Sequence, residues 1–226
     1  MHRAVAFVGV IAVVLGCACS SADQEERSGG SHSRYVEGDV FISRAGPPIQ
    51  IRIDRAFTYV GNVEFDLEGS GGVARLDLHV FVDAHQDRVD RMMIIHFEEL
   101  MGPIRSFSDR ITNPVNLGGE SYHQNTYFFS VTEDIERKPD GEIAKIMALL
   151  EGNGYALEDE LMTSRFFRIV GEERRNEIII FYDERISTTG HTLAEISQYG
   201  GIRTEYSGIS SSLTKRSLNS FSVLSL

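Results

Sequence analysis

The 226-residue sequence contains no tryptophan, only five prolines and only two cysteines. Both cysteines, Cys17 and Cys19, stand within the first twenty residues and are too close together for an ordinary structural disulfide. Everything after them must therefore fold without disulfide bonds. The hydrophobic content of 42% is ordinary for a globular protein. A domain of about 190 residues buries roughly 70% of its unfolded surface, so a hydrophobic core is sufficient to hold it together.

Positive charge is also scarce. The sequence has 22 lysines and arginines against 33 aspartates and glutamates, which gives a formal net charge of −11. An acidic surface repels phosphate backbones and anionic lipid headgroups, so we do not expect nucleic acid as a partner. Solubility alone is the simplest explanation of this charge.

Long apolar runs are confined to the first residues of the chain. A short basic start, Met1 to Arg3, precedes the twelve-residue apolar run from Ala4 to Leu15. A membrane-spanning helix needs about 20 apolar residues, whereas the core of a signal peptide needs about 7 to 15. The run therefore predicts export from the cell.

A second motif overlaps the end of this apolar run and consists of Val14, Leu15, Gly16 and Cys17. They resemble the lipobox of bacterial lipoproteins. That resemblance implies removal of a signal peptide over residues 1–16, acylation of Cys17 with fatty chains such as palmitate, and attachment to a membrane of the cell envelope. Several acyl chains hold a protein durably, because each buried methylene contributes about 0.8 kcal/mol. The alternative is ordinary cleavage after Ala22, which would leave a secreted or periplasmic protein.

After the signal peptide, residues 17–34 form a polar, serine-rich and glycine-rich segment that predicts a flexible tether. Residues 35–226 then predict a single domain. The strand candidates are Val40 to Ile42, Ile49 to Ile53, Thr58 to Leu67, Val73 to Val82, Val89 to Met101, Thr126 to Val131, Arg165 to Val170 and Glu177 to Tyr182. The run from Ile178 to Tyr182 is apolar at both its odd and its even positions, so both faces of that strand should be covered.

Helical patterns are fewer. Residues Asp140 to Glu151 place apolar side chains at helical spacing, Thr192 and Glu195 form a capping box, and a last amphipathic helix is expected between Ile209 and Phe221. Many strands and few segregated helices favour an α+β fold. We predict a curved antiparallel β-sheet with one mid-chain helix and C-terminal helices packed on it.

The clearest pattern is a hairpin on either side of residues 84–88. If Ala84 lies opposite Arg88, then Leu78, Val80 and Val82 share a core face with Met92 and Ile94. The opposite face mixes apolar and ionisable side chains, a composition that can line a pocket. The candidate ligand-binding residues on this face are His79, Phe81, Asp83, Arg91 and Met93.

Two other interpretations of this face remain open. A helix could cover the apolar part of this face and leave His79 and Asp83 hydrogen-bonded at the rim of the covered area. His79 could instead form an acid–base pair with Asp77 or Asp83, because imidazole titrates near neutral pH. The histidines show no standard metal-ligand spacing, and His79 and His96 should lie on opposite faces, so we expect neither a metal nor a cofactor.

Three functions are compatible with the sequence. The first is a non-enzymatic envelope module that binds an apolar small molecule or another envelope protein. The second is a cup-shaped α+β enzyme that uses a histidine–aspartate pair. The third is a structural or accessory lipoprotein whose partner surface is the irregular segment over residues 102–124.

Overall fold

The computed structural model describes residues 33–69, 72–102, 106–107, 113–198 and 203–224. In chain order, the strands are β1 (Arg34–Glu37), β2 (Val40–Ser43), β3 (Ile49–Ile53), β4 (Thr58–Gly69), β5 (Gly72–His85), β6 (Arg88–Met101), β7 (Pro114–Leu117), β8 (Glu120–Ser130), β9 (Glu160–Val170), β10 (Asn176–Arg185) and β11 (Phe221–Leu224). The α-helices are α1 (Val131–Arg137), α2 (Glu142–Gly152), α3 (Leu193–Gln198) and α4 (Arg203–Ser220), and a 3-10 turn spans Ile186–Thr189. The chain has an α+β fold, as predicted.

The strands form two antiparallel sheets. The larger has seven strands in the order β4-β5-β6-β10-β9-β8-β7, and the smaller has four in the order β1-β2-β3-β11. The small sheet packs on one face of the large one, where Phe41 and Ile51 meet Phe81, Met93 and Ile95 in a continuous buried cluster. The C-terminal helix α4 joins the same side through the fully buried Leu213.

The other face of the large sheet is covered by α2. Ile146 and Leu150 of this helix pack on Leu78, Val80 and Ile94. The core face predicted for the hairpin is therefore confirmed, and so is the mid-chain helix, which begins two residues later than expected. Strand β10 lies in the middle of the large sheet, and its apolar residues are buried on both faces, as predicted.

The hairpin register differs from the prediction. Gln86 and Asp87 form a two-residue turn with φ values of 51° and 64°, and His85 pairs with Arg88. Two consecutive positive-φ residues match the right-handed twist of a hairpin better than the three-residue loop implied by the predicted pairing of Ala84 with Arg88. At the turn the pairing is shifted by one residue from the predicted register. A β-bulge between Asp83 and Ala84 adds a second residue to this shift. Because the two registers differ by two residues on the body of the hairpin, every side chain keeps its predicted face.

Two further differences concern short elements. The strand predicted to reach Val131 ends at Ser130, whose hydroxyl accepts a hydrogen bond from the Glu133 amide and begins α1. A helix of seven residues is too short to show periodicity in the sequence. The capping box before α3 is confirmed, since the Thr192 and Glu195 side chains each accept from the other residue's amide.

Several predictions lie wholly or partly outside the described residues. They concern the signal peptide, Cys17 and most of the tether. Within residues 102–124, strand β7 and the start of β8 are ordered elements, whereas residues 103–105 and 108–112 are not described. Among the helices of the described ranges, none combines the length and the apolar character that crossing a lipid bilayer requires.

Candidate functional site

The predicted site around His79 lies between the two sheets. His79 is only 2% exposed, and its ring centroid stands 4.7 Å from that of Phe41 on the small sheet. The cover is therefore a sheet, where the sequence had suggested a helix. Strand alternation places His79 on this face, but a substrate cannot approach it there.

Four polar side chains form a chain of hydrogen bonds at this position. Arg34 donates to Asp77 over 2.7 Å, Asp77 is 3.1 Å from His79 Nε2, and His79 Nδ1 is 3.0 Å from the Tyr59 hydroxyl. Burial raises the pKa of Tyr59 to about 12, and the negative charge of Asp77 adds to the shift. Tyr59 therefore remains protonated and can donate to His79. Burial also raises the pKa of Asp77, but the hydrogen bonds and charges of His79 and Arg34 outweigh it and lower that pKa overall.

The other candidate residues on this face serve packing and pairing. Phe81 and Met93 are buried in the core between the sheets. Asp83 and Arg91 form an ion pair of 2.6 Å, so the structure joins His79 to Asp77 and leaves Asp83 with a different partner. Of the five candidates, Phe81 lines an open hollow, which lies beside Tyr59 at the edge of the two sheets.

A different site is present on the helical face of the large sheet. A cavity of about 390 Å³ lies between the helices α1 and α2 and this face of the sheet, where strands β5, β6, β8, β9 and β10 contribute to its lining. Its apolar lining includes Leu78, Ile94, Phe129, Ile143, Ile146 and Phe181. Its polar lining consists of Tyr127, Asp134, Arg137, Lys138, Glu142, Thr163 and Asp183. Apolar walls with a few polar groups are typical of a small-molecule site.

Asp183 is the most deeply buried acid of this cavity, with 3% of its surface exposed. Thr163 donates a hydrogen bond of 2.6 Å to its Oδ1 atom. Within the described part of the chain, no lysine, arginine or histidine lies at ion-pair distance from this carboxyl group. Burial, partly offset by the Thr163 hydrogen bond, raises the pKa of Asp183 to about 7.

The positions of these groups follow from strand register. Tyr127 on β8 pairs with Thr163 on β9, which pairs with Asp183 on β10, so the three side chains share one row and one face. Burial raises the pKa of Tyr127, and the charge of Asp183 acts in the same direction. The phenol therefore presents a protonated hydroxyl near the carboxyl group.

Glu142 begins α2 and lines the same cavity. Burial raises its pKa to about 7, with repulsion from Glu98 as the second cause. His96 lies behind it, 1% exposed, with Nδ1 3.8 Å from Glu142 and Nε2 3.9 Å from Glu98. Those distances are too long for hydrogen bonds, and neither ring nitrogen has a hydrogen-bond partner within the described part of the chain. Burial, followed by the charge of Arg165, lowers the pKa of His96 to about 3, so its ring is neutral.

The mouth of the cavity carries the positive charge. Arg137 forms an ion pair with Asp134 on the same helix, and Lys138 is exposed at the turn after α1. The floor therefore presents the Asp183 carboxyl group, and the rim presents cations.

The sequence had placed His79 and His96 on opposite faces, and this is confirmed. It did not single out Asp183, because an acidic residue at the end of a strand is normally interpreted as solvated. The available signal was its position directly after the doubly buried run that ends at Tyr182. A carboxyl group there has to lie against a neighbouring element.

Among the residues that the structure describes, no group of three or more histidine, cysteine, aspartate or glutamate side chains could hold a metal ion. The chain matches no protein-family model, no curated protein and no solved structure. The geometry of the site is therefore the basis for a functional proposal.

Proposed function

We propose that this chain is a non-enzymatic binding module of the cell envelope, which holds a small, mainly apolar molecule in the cavity beneath α1 and α2. The observation that carries the proposal is the cavity of about 390 Å³ with its apolar walls and convergent polar groups. Ligand sites generally measure about 300 to 1,000 Å³. At about 30 Å³ for each water molecule of the liquid, this space corresponds to roughly a dozen waters.

The alternative of an acid–base enzyme has one supporting observation, the contact between His79 and Asp77. Its weakness is access, because a general base must come within about 3 Å of the substrate proton. His79 is 2% exposed and already bonded at both ring nitrogens. We therefore favour binding over catalysis.

The cavity can be tested by filling it. Ile143 on α2 is partly buried and lines the cavity, so Ile143→Phe should occupy part of the space. We expect N-phenyl-1-naphthylamine, a neutral apolar fluorophore, to bind the unaltered protein with increased fluorescence. The Ile143→Phe variant should bind it about tenfold more weakly, which corresponds to about 1.4 kcal/mol.

The matched control is Ile209→Phe, the same substitution at a partly buried position on α4, which packs on the opposite face. This variant should retain the affinity of the unaltered protein. Equal affinities for all three proteins, or an equal loss in both variants, would contradict the proposed site.

We further propose that the lipobox-like motif anchors this module through Cys17. Intact mass spectrometry of the mature protein should then show a chain that starts at Cys17 and carries added acyl mass. Cys17→Ser should abolish the acyl mass, whereas Cys19→Ser should leave it unchanged. A mature chain that starts at Asp23 without acyl mass would establish ordinary secretion instead.

A further inference from the structure

Resting on the proposed function, we infer that the ligand carries an organic ammonium group, and that this group pairs with Asp183 at the floor of the cavity. Three features of the cavity point to a ligand of this chemical class.

The first feature is the unbalanced charge of Asp183. A carboxylate removed from water is costly unless a cation compensates it, so buried carboxylates in proteins are normally paired. Two other buried carboxylates of this chain follow that rule, since Arg34 pairs with Asp77 over 2.7 Å and Arg216 pairs with Glu184 over 2.7 Å. Among the residues that the structure describes, Asp183 has only the Thr163 hydroxyl as a hydrogen-bond partner, and it faces the cavity. A ligand cation would supply the partner that is missing.

The second feature is the aromatic lining. Tyr127, Phe129 and Phe181 all line the cavity, and the rings of Tyr127 and Phe129 lie 5.9 Å apart. A cation within about 6 Å of a ring centroid is attracted by the negative face of the ring. These rings provide an apolar surface that still favours a cationic group.

The third feature is the distribution of charge with depth. The basic residues Arg137 and Lys138 are exposed at the rim, and Arg137 is already paired with Asp134. The carboxyl group of Asp183, with 3% of the residue exposed, lies farther inside. An anionic head would therefore meet repulsion at the floor, and an uncharged head would leave Asp183 uncompensated.

The test compares three probes that share a phenyl body and differ in the head group. These are 2-phenylethylamine, 2-phenylethanol and 3-phenylpropanoate, titrated calorimetrically into the mature protein at pH 7.5. We expect the amine to bind at least about tenfold more tightly than the alcohol, and the carboxylate to bind most weakly.

Asp183→Asn is the decisive variant, because an asparagine keeps the shape and an acceptor for Thr163 but lacks the charge. We expect the affinity for the amine to fall to that for the alcohol, and the affinity for the alcohol to change little. Asp66→Asn is the matched control, since Asp66 is an exposed aspartate paired with Arg75 on the surface. It should preserve the full preference for the amine.

A pH series adds a readout that packing alone would not change. The carboxyl of Asp183 must lose its proton before it can pair with the ammonium group. Because its pKa lies near 7, the affinity for the amine should rise about tenfold or more between pH 5.5 and pH 7.5, while the affinity for the alcohol stays constant. The titratable and charged groups on the elements around it are Tyr127, Asp134, Arg137, Lys138, Glu142 and Arg165, with His96, Glu98, Glu177 and Arg185 on the same face of the sheet. Asp183→Asn should remove most of the rise in affinity, and any remaining rise reports on Glu142 and Glu177.

The outcomes separate the two proposals. One outcome is that the alcohol binds, that Ile143→Phe weakens its binding, and that the amine binds no more tightly than the alcohol. The ammonium inference is then wrong and the proposed function stands. If the carboxylate binds most tightly, the inference is also wrong. If none of the probes binds, both proposals are contradicted.

Discussion

Replacing Asp183 by asparagine should stabilise the ligand-free protein at pH 8 by up to about 4 kcal/mol, with little effect at pH 3.5. The carboxyl of Asp183 has an ordinary pKa of 3.8, which burial raises to about 7 in the folded protein. Between these two values, the unfolded chain has lost its proton and the folded chain retains it. Stability therefore falls as the pH rises through this window, and the full penalty is present above pH 7.

Chemical denaturation from pH 3.5 to pH 8 measures this effect. Glu177 has a pKa raised to about 7 by burial, and the pKa of Glu142 shifts in the same direction, so the unaltered protein and the variant should both lose stability with rising pH. The difference between them isolates Asp183. Asp66→Asn is again the control and should follow the unaltered protein. A destabilisation of Asp183→Asn that is constant at every pH would show that its hydrogen bond matters and its charge does not.

Replacing Arg34 by methionine should destabilise the protein by about 3 to 5 kcal/mol at pH 7, because it leaves the Asp77 carboxylate buried without its arginine. The Arg34 guanidinium lies 3.9 Å from the centroid of the Phe97 ring, and the Asp77 side chain is 7% exposed. The pair connects the start of the small sheet to the large sheet. Its loss therefore affects the attachment of the two sheets to each other.

A matched control is Arg55→Met, because Arg55 pairs with Asp39 but is 88% exposed. An exposed pair of this kind contributes about 0 to 1 kcal/mol. The double variant Arg34→Met with Asp77→Asn should recover part of the loss, since the buried charge is then removed as well. Because the pKa of Asp77 is lowered in the folded protein, the effect of Arg34→Met should shrink as the pH falls below 3.8, the ordinary pKa of an aspartate. A loss below about 1 kcal/mol at pH 7 would show that the pair does not hold the sheets together.

Strand alternation explains why much of the large sheet could be predicted. The side-chain period of a strand is two, so an error of two residues at the Gln86–Asp87 turn left Leu78 and His79 on their correct faces. The run ending at Tyr182 was correctly expected to be covered on both sides. These are local patterns that a single sequence carries.

The covering elements could not be predicted in the same way. Strand β11 pairs with β3, although most of the chain separates the two strands in the sequence. A four-residue strand is too short to show a pattern that predicts its partner. The short helix α1 lacks a full apolar repeat. The small sheet covers His79 and the helices enclose the space above Asp183, so these long-range contacts decide which face holds a cavity.

Isoleucine methyl NMR tests the central claim, that the cavity beneath α1 and α2 is the binding site. Ile94, Ile143 and Ile146 line that cavity, whereas Ile53 lines the hollow beside Tyr59 and Ile51 lies between the sheets. On titration with 2-phenylethylamine, the δ1 methyl signals of Ile94, Ile143 and Ile146 should shift, and those of Ile51 and Ile53 should not. Shifts confined to Ile51 and Ile53, or no shifts at saturating probe, would contradict the claim.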